Sequence, residues 1–157
     1  MTVRLRLEGR DHSGLLGRRA ARRLTREVGS MAEGAVVSAE GLTSVAPGTV
    51  EVLTSVGGLC TAEDVERLLV AARVALAPGG RLRFVEHVGR TGLAGRMQAG
   101  VGPLWSRVSG GCHVDRDVPG AIRRAGFSIH SLDRFVVPSP VVVLRPWVRG
   151  VAAPVPA

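Results

Sequence analysis

Residues 76–88, "LAPGGRLRFVEHV", decide how this chain is read. Pro78, Gly79 and Gly80 stop a helix. The apolar run that follows predicts a strand over 81–88. That strand ends on Glu86 and His87, two groups able to move protons.

Working upstream, residues 50–56, "VEVLTSV", predict an apolar strand ended by Gly57-Gly58. Thr61 then caps a helix, with Asp64 at its third position, close to a capping box. Val65, Leu68, Leu69, Ala72 and Leu76 give that helix its apolar stripe. Residues 35–38, "AVVS", predict a short buried strand. Residues 2–8 alternate Val3, Leu5 and Leu7 with Arg4, Arg6 and Glu8, which predicts a strand with one polar face. A helix follows over 15–28, capped by Asp11 or Ser13 and closed by Gly29. Its arginines read as a solvated face.

Downstream, Leu93, Met97, Val101, Leu104, Trp105 and Val108 allow one helix or two over 89–111, broken at Gly102-Pro103. A mobile lid is compatible with the seven glycines there. A short helix over 117–125 takes Asp115 or Asp117 as its cap and Pro119 in its first turn. Two strands joined by Pro138-Ser139-Pro140 make an antiparallel return at a sheet edge. Strand alternating with helix predicts an α/β, Rossmann-like, mostly parallel sheet with a C-terminal antiparallel hairpin. Residues 1–151 form a single domain and 152–157 a loose tail. Such sheets bind ligands beyond the carboxyl ends of their strands, which is where Glu86 and His87 fall.

Composition narrows the function. The chain has 157 residues, 45% of them hydrophobic and 22% charged, which suits one globular domain. No apolar run reaches the roughly 18 residues of a membrane span, and no signal-peptide pattern opens the chain, so a cytoplasmic protein without a membrane partner is expected. The net charge of +8 invites a nucleic-acid reading. However, all 21 basic residues are arginine, a choice that fits GC-rich coding, and aromatics are only 3%. Single-strand binders use stacking aromatics, so no specific nucleic-acid partner is expected. Cys60 and Cys112 lack a CxxC spacing and predict neither a disulfide framework nor a zinc site. A zinc site from Cys60, Cys112, His87 and His113 has no support in spacing, and no metal is expected.

Taken together and in order, "VEVLTSVGGLC", "LAPGGRLRFVEHV", "GPLWSRVSGGCHVDRD" and "VVLRPWVRGVA" resemble the class I S-adenosylmethionine-dependent methyltransferases. The chain looks closest to a small bacterial branch related to thiol methyltransferases. The resemblance covers most of the chain and is sharpest over 47–151. It implies S-adenosylmethionine as cofactor and a small-molecule methyl acceptor. It places Glu8, with Asp11 as the alternative, on the cofactor ribose, although a strand-end Glu also occurs without such a role. It places Ser38, Ala39 and Glu40 at the adenine, with Ser38 standing where the family has an acid. Ser55, Val56 and Gly57 then lie beside the cofactor.

The family's opening Asp-x-Gly-x-Gly-x-Gly turn has no counterpart here. The expectation is a fold that lacks its first strand and helix, an exposed sheet edge, and a homo-oligomer or partner covering it. A non-catalytic remnant acting as an interaction protein is the alternative function. For methyl transfer, a base is needed only where the acceptor carries a proton. An imidazole suits that role near neutral pH. His87 is the first candidate, with Glu86 orienting it; His113, with Cys112 beside it, is the second.

Overall fold

A computed structural model describes residues 3–8, 18–29, 34–90, 92–109 and 111–156. Six strands, β1 (Val3–Glu8), β2 (Ala35–Val37), β3 (Val50–Val56), β4 (Leu76–His87), β5 (Phe127–Val136) and β6 (Pro146–Pro154), form one sheet in the order β2-β1-β3-β4-β6-β5. The first four run parallel; β6 is antiparallel to both β4 and β5. This is the predicted α/β sheet with its C-terminal hairpin.

Helices make the crossovers. They are α1 (Arg18–Val28), α2 (Ala39–Leu42), α3 (Gly58–Thr61), α4 (Val65–Ala75), α5 (Gly92–Val108) and α6 (Val118–Arg124). Residues 15–17 of the predicted first helix, and its caps Asp11 and Ser13, lie outside the described residues. In α4, Val65, Leu68, Leu69, Ala72 and Ala75 are buried, as the predicted stripe requires. The cap differs from expectation: Asp64, not Thr61, accepts from the Arg67 N–H, because a separate short helix already occupies 58–61. Of the two candidates for α6, Asp117 is the cap.

Three expectations are corrected. β4 begins at Leu76 rather than Arg81, since Leu76 already pairs with Val50 and the Pro-Gly-Gly residues form an irregularity in register. The segment after β4 is one helix of 17 residues, as one of the two readings allowed, but it runs through Pro103 instead of breaking at Gly102-Pro103. The proline loses one backbone donor, yet the helix carries on past it and closes on a Ser109 N–H bond to Trp105. Finally, the expected gap in the sheet is closed. β1 pairs with β3 from Val3 to Glu8, so the facing backbone groups of the two strands satisfy each other there. The outer strands of the described sheet are β2 and β5.

Phe84, Leu53, Leu82, Val50, Leu69 and Ile122 fill the core between the sheet and its helices. On the far side of α5, Leu93, Met97, Leu104 and Val108 remain exposed, so the stripe read from sequence points outward rather than into this core. Among the described residues no helix is long and apolar enough to cross a membrane.

The β4–β6–β5 layer is close-packed at Gly150. A Cβ there would lie 2.5 Å from Phe84 Cζ and would also meet the Ser131 carbonyl. Gly150→Ala is expected to cost about 1–3 kcal/mol by overpacking, read as a lower urea midpoint with an unchanged m-value.

Candidate functional site

The carboxyl ends of the parallel strands form one continuous edge. Leu7 sits beside Val37 and Glu8 beside Val56, so the ends of β2, β1 and β3 are level with one another. Ser38 follows β2 directly and caps α2, its Oγ accepting from the Gly41 N–H at 2.9 Å. Ala39 and Glu40 begin α2. They line a cavity of about 320 Å³ with Thr43, Ala62, Glu63, Asp64, Arg67 and Leu68. Beyond Val56 the chain turns sharply at Gly57, whose φ of +66° lies in the left-handed region that favours glycine.

What makes that turn rigid is Glu86. Its carboxylate is fully buried at the end of β4. Oε1 accepts from Ser55 Oγ at 2.6 Å and from the Leu59 N–H at 3.1 Å; Oε2 accepts from the Cys60 N–H at 2.9 Å. The first amides of α3 have no intrahelical partners, and a carboxylate there satisfies them. Burial pushes the Glu86 carboxyl up from its ordinary range, while the bonds from Ser55, Cys60 and Leu59 hold it partly down.

His87 points elsewhere and is equally enclosed. Its Nε2 lies 3.1 Å from the Leu144 carbonyl and its Nδ1 3.1 Å from Cys112 Sγ. Trp147 packs against the ring, with centroids 3.8 Å apart. Cys112 Sγ in turn lies 3.9 Å from Cys60 Sγ. The Cys60 thiol is held well above its ordinary range, first by its hydrogen bond with Cys112, then by burial and by the negative charge of Glu86. His113 is half-buried in the turn that follows, and its N–H donates to the Cys60 carbonyl.

The structure thus brings Ser55, Gly57 and Glu86 together, and it brings His87 to Cys112 and Cys60. It does not turn Glu86 towards His87: the two are consecutive on a strand and face opposite ways, as strand pleating requires. With its oxygens used by Ser55 and α3, Glu86 is a positioning residue rather than the partner of a base. His87, closed in by Trp147 and Leu144, has no open face. The side chain of Glu8 lies outside what is described; its backbone position at the end of β1 is clear.

Two residues escaped the sequence reading. Arg116 Nη1 donates to the Leu59 and Ala62 carbonyls, both at 2.7 Å, and ties the 111–117 turn to the end of α3. Gln98 is buried within α5, where its Oε1 accepts from the Arg90 N–H and its Nε2 donates to the Val143 carbonyl at 3.1 Å and the Val114 carbonyl at 3.3 Å. A lone polar residue on a predicted amphipathic helix reads as solvent-facing, so sequence carries no signal for it. Its effect is to pin α5 to the end of β4 and to the 142–144 turn.

No family model matches the chain. A human thiol S-methyltransferase is 31% identical over 119 residues, 74% of this chain and 49% of its own length. A rat thiol S-methyltransferase is 28% identical over the same extent. Solved structures agree in fold. A Methanosarcina mazei S-adenosylmethionine-dependent methyltransferase superposes with a TM-score of 0.62 at 11% identity, covering 99% of this chain and 94% of that one. A Thermotoga maritima S-adenosylmethionine-dependent methyltransferase gives 0.58 at 16% identity, covering 98% and 82%. In sequence the chain is similar to thiol S-methyltransferases, and its fold is that of the class I S-adenosylmethionine-dependent methyltransferases.

The chain spans about half the length of the curated relatives it matches. The same methyltransferase fold also appears in the cyclase SpnF, with a TM-score of 0.61 at 14% identity over 99% of this chain and 76% of that one. Fold membership therefore does not by itself fix the reaction.

Two outcomes follow for this buried network. Glu86→Ala orphans the Ser55 hydroxyl and two amides and is expected to cost at least about 3 kcal/mol, with Glu86→Gln costing less because it keeps an acceptor oxygen. Denaturant titration gives the order of the two, and amide exchange at Leu59 and Cys60 localises the loss. Gln98→Leu is expected to raise amide exchange at Arg90, whose acceptor it removes, while leaving exchange in β3 unchanged.

Proposed function

We propose that this chain supplies the cofactor edge of a methyltransferase that moves a methyl group from S-adenosylmethionine to a small-molecule acceptor, a thiol being the preferred class. The observation that carries the reading is the level alignment of Glu8, Ser38 and Gly57 at the carboxyl ends of three adjacent parallel strands. Ligands of such sheets bind there. The thiol preference rests on what the curated relatives are named for.

The residues present suit the ribose and adenine side of the cofactor. A carboxylate at Glu8 accepts hydrogen bonds from vicinal hydroxyls. The cavity at Ala39 and Glu40 adjoins the end of β2 and takes the adenine face. Gly57, held by the Glu86–Ser55–α3 network, lets backbone approach the ligand closely. The bound sulfonium brings a methyl group already activated for attack. The chain's own task is to orient the acceptor, exclude water and take its proton. Of the imidazoles first considered, His113 retains access, and we assign it the proton. Glu86 acts through the shape of the Ser55–Thr61 turn.

Calorimetric titration of the 157-residue chain with S-adenosylhomocysteine tests the cofactor reading. Binding at micromolar strength, about −8 kcal/mol, is expected, and Glu8→Ala is expected to weaken it about tenfold. Absence of heat from folded protein overturns the proposal. With a thiol acceptor, His113→Asn is expected to lower kcat about a hundredfold while the affinity for S-adenosylhomocysteine stays as it is.

A further inference from the structure

Three buried side chains that the cofactor edge does not use meet at one point. Cys60 comes from α3, His87 from the end of β4, and Cys112 from the turn before α6. Their Sγ, Nδ1 and Sγ atoms all lie within 4.8 Å of one another. The two sulfurs are 3.9 Å apart, and Nδ1 is 3.1 Å from Cys112 Sγ. We propose that Cys60, His87 and Cys112 form a zinc site that joins these three segments.

The geometry is close to that of a tetrahedral centre already. With Zn–S of about 2.3 Å and Zn–N of about 2.0 Å, two sulfurs stand about 3.8 Å apart and a sulfur and nitrogen about 3.5 Å apart. Drawing the three atoms onto one ion needs adjustments of a few tenths of an ångström for the pairs whose distances are known.

The tautomer of His87 is already the required one. A carbonyl only accepts, so the 3.1 Å contact with the Leu144 carbonyl places the ring proton on Nε2. Nδ1 then presents its lone pair to Cys112 Sγ. A ring nitrogen that binds metal while the other donates to a backbone carbonyl is the usual supporting arrangement. The Leu144 carbonyl also accepts from Trp147 Nε1 at 3.0 Å, and Trp147 packs on the ring, so the imidazole is held in that orientation.

Charge and donor type select the ion. Two thiolates and a neutral imidazole cancel the charge of a divalent cation, and the buried Glu86 carboxylate beside Cys60 adds a further attraction for it. Sulfur and imidazole donors favour zinc over magnesium or calcium. Binding is balanced by proton release: each thiol gives up its proton as its Zn–S bond forms, so two protons leave per ion. The three buried side chains fill three of the four tetrahedral positions, and a water molecule would complete the set. This inference does not depend on the methyltransferase reading.

The test uses the full chain, reduced and stripped with a chelator. Zinc titrated against a chromophoric competitor is expected to bind at one ion per chain. Cobalt(II) is expected to give a thiolate charge-transfer band in the near ultraviolet and the visible bands of tetrahedral coordination. Cys112→Ser and His87→Asn are each expected to weaken zinc binding at least about tenfold, while His130→Asn, on the exposed side of β5, leaves it unchanged. The wild-type cobalt spectrum needs no variant and stands even if a substituted chain does not fold. Uptake below a tenth of an equivalent by protein with both thiols titratable overturns the site. So does a cobalt spectrum without thiolate bands, or zinc binding that survives both substitutions.

Discussion

A carboxylate buried at the end of a central strand must be met by donors, and here Glu86 finds three of them in one turn. The chain after β3 has little freedom as a result. Ser55 is drawn towards β4, Gly57 takes its left-handed conformation, and α3 starts where its first free amides can reach the two oxygens. The carboxyl edge of the sheet is thus shaped from β4 across to β3. Had Glu86 faced solvent, the first amides of α3 would lose their acceptors.

The same strand end holds the second buried cluster. Because consecutive strand residues point to opposite faces, Glu86 and His87 serve two different environments from adjacent positions. One organises backbone amides. The other is wedged between Trp147 and Cys112 and is tied to the Leu144 carbonyl. Arg116 closes the arrangement by bonding to the carbonyls of Leu59 and Ala62, which are the groups α3 leaves unpaired at its far end. A helix of only four residues is stable here because both of its ends are satisfied from elsewhere in the chain.

The position of α5 shows how one side chain can decide placement. Its apolar residues mostly face away from the core, so hydrophobic burial does little to seat it. Gln98 instead bonds to backbone at Arg90, Val114 and Val143, three segments that hydrophobic contact alone would leave loosely related. Satisfied buried amides of this kind specify geometry as well as stability.

Much of this was legible in the sequence, and for a physical reason. Pro78, the paired glycines and the apolar runs act within a few residues, so alternating strands and helices, the parallel sheet and the final hairpin could be read directly. The resemblance to class I methyltransferases also lay in local motifs. What needed the tertiary structure was every relation across long stretches of chain. Ser55 and Glu86 are 31 residues apart, and Cys60 and Cys112 are 52 apart. No spacing rule links such pairs, because their meeting depends on strand register and on the direction a side chain leaves the sheet. The same reason explains the closed gap between β1 and β3. Pairing partners are chosen by the whole sheet, whose backbone groups must all be satisfied, and not by either strand alone.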